Sequence, residues 1–234
     1  MALEELQFEN IDNKIKNEKD EIKLFKNAFM VFYIGQIFLI ISTLSYLTSI
    51  NGIPRFFNYF AYFSYVTYLM YFITLYIMRF SNKSFRLSYY SIGVFIVIYI
   101  IQAIASTSTN EVFLALSKGL EISLDIMLAL FYLFFFRGTY LLYDKFGLEA
   151  GKRKAKIAFF VFLGIYILGQ ICEFLLGTRL LMSSMLAKRI FLYASWGLRF
   201  ALYTFALVIA ISGRRYLVKS VKEREVKEDG QQTK

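Results

Sequence analysis

The sequence predicts an all-α, polytopic integral membrane protein: six transmembrane helices in a bundle, N-in/C-in, with an amphipathic N-terminal cytoplasmic helix. Three observations predict it. Of the 234 residues, 58% are hydrophobic and 19% are charged, whereas about a quarter of a soluble domain is charged. The charges are gathered into clusters between long apolar runs, and the lysines and arginines fall overwhelmingly on one side of those runs.

The chain divides into a charged N-terminal helix (1–27), a six-span domain (28–213) and a basic tail (214–234) expected to be partly disordered, beyond Val226. The N-terminal segment carries twelve charges of both signs and no short apolar core before a small-residue cleavage site, so it does not read as a signal peptide. From Leu3 to Phe25 it has Phe8, Ile11, Ile15 and Ile22 at helical spacing. Seven acids against five bases argue against simple attraction to anionic lipid. A helical stalk continuing the first span, or a contact for a soluble partner, fits that charge mix better.

A span needs about 20 mostly apolar residues. Six segments meet this, at 28–50, 56–78, 87–106, 112–136, 157–177 and 190–212. They are continuous apolar runs, whereas a membrane strand alternates over about 10 residues. Orientation follows from lysine and arginine. Counting the N-terminal segment, the loops after the second and fourth spans and the tail, 21 lie on one side; four lie on the other, and two lie inside spans. This puts both termini in the cytoplasm of a multi-pass protein of the cell membrane. The Lys, Ile, Phe and Tyr bias with few His, Cys and Pro suggests a prokaryotic source.

Ionisable groups inside a span cost about 2.5–3.5 kcal/mol at the helix centre on insertion scales and usually have a role. The fourth span carries Lys118, Glu121 and Asp125 at i, i+3 and i+7, on one helical face. The fifth carries Gln170 and Glu173, the sixth Arg199 and the third Gln102. Counted from the outer edges of the apolar runs at ~1.5 Å per residue, Glu121 and Arg199 both lie ~14 Å deep. Lys118 at ~9 Å and Glu173 at ~6 Å form a second matched pair. Asp125, ~20 Å down, is left without a cation at its level. One interpretation makes these residues interhelical glue. The other makes them the lining of a polar cavity with Asp125 at its base, and the net charge of −1 over the five charges favours a cation or proton. Tyr132, seven residues beyond Asp125, is a candidate hydrogen-bond partner for it.

The inventory excludes much chemistry. There is no histidine and one cysteine, Cys172, which removes His-ligated haem, His-containing zinc sites, Ser-His catalysis and intrachain disulfides. No phosphate-binding, dinucleotide or hydrolase motif is present. A carboxylate-only chemistry at Glu121 and Asp125 is the remaining catalytic option, and the expectation is a non-enzyme with no catalytic residues, cofactor or metal. The one proline, Pro54, lies outside the spans, so the broken helices common in secondary transporters are not expected. Tyr46, Tyr89, Tyr90, Tyr140 and Tyr143 suit an interfacial aromatic belt. Tyr59, Tyr62, Tyr65 and Tyr68 form a stripe that suits either packing or a cavity wall.

Two functions follow. The first is a translocation component, a channel-like or transporter subunit moving a cation, proton or other polar cargo through spans three to six. The second is a non-catalytic membrane scaffold subunit of a larger secretion, import or respiratory assembly. Expected partners are the lipid bilayer, further copies or a larger membrane complex, and a cytoplasmic protein docked at 1–27 and 145–156. The formal charge of +10 reads as topogenic rather than as a nucleic-acid footprint.

Overall fold

A computed structural model describes residues 20–43, 63–107, 111–177 and 185–232. Within them every regular element is an α-helix: α1 (Asp20–Thr43), α2 (Phe63–Met78), α3 (Lys83–Ser106), α4 (Glu111–Lys145), α5 (Glu149–Gly177) and α6 (Met185–Gln232). Five of them, all except α2, are long and apolar enough to cross a membrane, which fits a multi-pass membrane protein. The 16 residues of α2 rise ~24 Å, short of a hydrocarbon core of ~30 Å. The expected second span starts at 56, so its first residues, with Tyr59 and Tyr62, lie outside the described residues, as does 1–19 of the N-terminal helix.

Consecutive helices run antiparallel. Thr67 Oγ1 donates to the Gly35 carbonyl (3.0 Å) and Thr74 Oγ1 to the Ala28 carbonyl (3.5 Å), tying α2 to α1. Ser88 Oγ donates to the Phe131 carbonyl (2.9 Å) and Asn82 Nδ2 to the Gly138 carbonyl (3.1 Å), tying α3 to α4. Small hydroxyl and amide side chains joining helices in this way are typical inside a bilayer, where no hydrophobic force draws helices together. Asn82 also caps α3 by accepting from the Phe85 amide. A Cβ added at Gly138 would lie 2.6–2.8 Å from the Phe85 ring, so this glycine sets the approach of α3 to α4.

The core is aromatic. Phe32 of α1 stacks on Phe135 at 4.1 Å and on Tyr71 at 4.8 Å, and Tyr71 stacks on Phe131 at 5.1 Å. Offset stacks of this kind add to the burial of the rings themselves. The α2 tyrosines pack. Tyr68 meets Phe95 and Tyr99 edge-on, and Tyr65 meets Tyr99 at 5.2 Å.

Several helices outrun their apolar segments. α4 has 35 residues and α6 has 48, or ~52 Å and ~72 Å. The basic stretches expected as loops are largely helical, and they extend the packed core at one end of the bundle. Ile22 and Phe25 of α1 are buried there with Leu142 of α4, Phe146 just past its end, Ala155 of α5 and Leu217 of α6. Phe25 contacts Phe146 (6.3 Å), and Lys145 Nζ donates to both Glu21 carboxylate oxygens (2.6 and 2.7 Å). Residues 20–27 therefore continue the first membrane helix.

The turn between α4 and α5 is a three-residue helix stop. Gly147 takes φ of 67°, and the Leu148 amide donates back to the Tyr143 carbonyl (2.8 Å). A left-handed glycine with a six-to-one bond is the Schellman ending, which favours glycine because no Cβ is strained. Tyr143, expected in an interfacial belt, is instead buried, edge-on to Tyr216 at 6.0 Å. Gly151 and Gly213 make room for it, since a Cβ at either would sit 3.1 Å from its ring or 2.7 Å from its hydroxyl. The tail also departs from expectation: α6 is helical to Gln232 rather than disordered beyond Val226. Its Lys, Arg and Glu are good helix formers, and Lys219 pairs with Glu223 one turn on at 3.6 Å.

Candidate functional site

The sixth helix begins by Met185, five residues before the apolar run that marked it in the sequence. That offset of ~7.5 Å changes which charges face each other. Asp125 lies fourteen residues into α4 and Arg199 fourteen residues into α6, so both sit ~21 Å along their helices. Arg199 Nη2 lies 3.9 Å from Asp125 Oδ2. The expected pairing of Arg199 with Glu121 is thus replaced by Arg199 with Asp125, and Asp125 does have a cation at its level. Glu121 is exposed and does not line the site. At 3.9 Å these two atoms attract as charges but are beyond direct hydrogen-bond distance.

A cavity of about 50 Å³ adjoins the pair between α4, α5 and α6. This is room for a few waters. Asp125 and Tyr132 line it from α4, Tyr166, Gly169 and Gln170 from α5, and Arg199 and Tyr203 from α6. Tyr166 Oη donates to the Asp125 backbone carbonyl (3.3 Å), fixing α5 against α4 at this level. Gly169 leaves open space where a side chain would project. The site is not sealed within the chain: the side chains of Asp125 and Arg199 are 34% and 48% exposed. Charges at this depth facing lipid tails are costly, so the mouth suits water or another protein chain.

Tyr132 extends the polar contacts inward. It is fully buried, accepts from Gln36 Nε2 (2.9 Å) and lies 3.4 Å from the Tyr71 hydroxyl. It lines the same cavity as Asp125, and its hydrogen bonds go to α1 and α2. Gln36 Oε1 is buried with no hydrogen-bond partner among the described residues.

The remaining expected residues divide. Gln170 joins Asp125 and Arg199 at the cavity. Gln102 does not: its Nε2 meets Ser117 Oγ at 3.5 Å, between α3 and α4. The side chains of Lys118 and Glu173, the second expected pair, lie outside the described residues. Gln36, Tyr166 and Tyr203 were not singled out by the sequence. Gln36 carried a signal, being the one amide within an otherwise apolar first span. The two tyrosines carried none in a chain with eighteen. Comparison with known protein families, curated proteins and solved structures finds no match to this chain.

Proposed function

We propose that this protein is a six-span membrane protein with both termini cytoplasmic that moves a cation or proton along a polar path between its fourth, fifth and sixth spans. The observation that carries the proposal is the partly open Asp125–Arg199 pair beside a cavity, within the apolar stretches of helices long and apolar enough to cross a bilayer. A partly exposed carboxylate there suits exchange: a cation or proton at Asp125 substitutes for the attraction of Arg199, and its departure restores the pair. The hydroxyls of Tyr132, Tyr166 and Tyr203 supply neutral donors and acceptors around that exchange. The 21-to-4 division of lysine and arginine supports the orientation.

In vesicles reconstituted with the purified protein, a pH or cation gradient is expected to dissipate faster than in protein-free vesicles. Asp125→Asn is expected to return the rate to the protein-free background while the protein remains folded. Flux unchanged by Asp125→Asn sinks the proposal.

The exposed flank of the pair also suits a second reading, in which a neighbouring chain covers it and the protein is a non-catalytic scaffold of a larger assembly. Docking of a soluble partner at 1–27 and 145–156 belongs to that reading. In the described residues, some of that surface is engaged within the chain: Lys145 holds Glu21, and Lys152 holds Asp144 at 2.6 Å.

A further inference from the structure

A second cavity, unrelated to the Asp125 site, opens between α1 and α6 at the basic end of the bundle. It is an open groove of about 620 Å³ lined by Tyr33, Ile211, Arg214, Arg215, Val218 and Lys219. Three of the six described residues that line it are cationic. Lys219 shares a carboxylate, Glu223, at 3.6 Å. Among the described residues neither Arg214 nor Arg215 has a carboxylate partner, and Arg214 Nε is buried with no hydrogen-bond partner. Topogenic charge needs only number and side; it does not require two guanidinia walling one groove.

We propose that this groove binds the phosphate of an anionic phospholipid from the leaflet at the basic end. Its position argues for lipid over a free anion. The apolar run of α6 ends at 212, so Arg214 and Arg215 stand where hydrocarbon gives way to headgroups. Ile211, Val218 and the Tyr33 ring give the groove an apolar wall beside its basic one, matching an acyl chain beside a phosphodiester. Arginine suits the headgroup because its planar fork donates two bonds to two phosphate oxygens. Basic pockets between membrane helices hold anionic headgroups on this physical basis.

The test is lipid retention by the full chain in native mass spectrometry, after exchange into mixed micelles of phosphatidylglycerol and phosphatidylcholine at equal amounts. Wild type is expected to retain phosphatidylglycerol preferentially. Arg214→Gln with Arg215→Gln is expected to reduce that preference about thirtyfold, from two lost headgroup contacts. Lys83→Gln with Arg86→Gln, which removes the same charge from the start of α3, is expected to leave it intact. Arg215 is exposed, so Arg215→Gln alone provides a folded variant with a smaller loss if the double variant does not fold. Equal retention of the two lipids by wild type overturns the proposal. So does an equal loss in the α3 control, and so does displacement of the lipid by millimolar inorganic phosphate, which assigns the groove to a small anion.

Discussion

Arg199→Gln and Asp125→Asn each lower the stability of the folded protein, and the double variant regains most of the loss. Each single change removes the opposite charge nearest the remaining one ~21 Å along a membrane helix, where ions are expensive. Removing both leaves two neutral amides able to hydrogen-bond. Polar contacts between membrane helices contribute about 0.6–2 kcal/mol, and a coupling energy of that size is expected from a double-mutant cycle read by thermal or denaturant unfolding in a bilayer mimic. Strictly additive losses would mean that the 3.9 Å approach carries no energy. The same variants separate structure from transport. Loss of flux in Asp125→Asn with the double variant restored to wild-type stability, yet still inactive, marks the carboxylate as the cargo group rather than as a clamp.

Gly138→Ala destabilises the bundle by about 1–3 kcal/mol, the usual cost of overfilling a packed site. The new methyl meets three atoms of the Phe85 ring at 2.6–2.8 Å. That ring is fully buried and packed on Phe135 at 5.9 Å, so it cannot swing aside without disturbing the aromatic core. Separating α3 from α4 also lengthens the bond from Asn82 Nδ2 to the Gly138 carbonyl. Gly197→Ala is the control. Nothing lies within 4 Å of a Cβ there, and alanine is the better helix former, so its unfolding midpoint is expected to be unchanged or higher. Shortening the ring with Phe85→Leu should recover part of the Gly138→Ala loss. No recovery would place the strain elsewhere.

The membrane helices were legible in the sequence because a bilayer demands long unbroken apolar runs, which need no tertiary knowledge to find. That Asp125 and Arg199 fall within apolar runs followed from the sequence alone. The partner of Asp125 did not. Depth counted from the edge of each apolar run sets Arg199 beside Glu121, but α6 is helical from Met185, ahead of its run, which moves Arg199 more than one turn deeper and from Glu121 to Asp125. The packed core at the basic end was hidden by its charges. Leu142 on α4 with Phe146 just past its end, and Leu217 with Val221 on α6, stand at helical spacing, but each pair is surrounded by charged residues, and a hydropathy reading takes such stretches for loops. Tyr143 was misplaced for the same reason: its pocket depends on Gly151 and Gly213 from two other helices, a relation that no single segment displays.

Whether water reaches Asp125 and Arg199 within the membrane is decided by the reactivity of a thiol at Gly169. This residue lines the cavity and has open space where a side chain would project. In a Cys172→Ser background, Gly169→Cys is expected to react with a membrane-impermeant maleimide added on the side opposite the termini, because the reactive thiolate forms only in water. Gly164→Cys on the same helix, exposed, equally unobstructed and away from the cavity lining, is expected to face lipid and stay unlabelled. Labelling of Gly169→Cys and its loss when cargo is added support a hydrated path. A folded Gly169→Cys protein that resists labelling from both sides contradicts it, and leaves the charged pair as a structural contact.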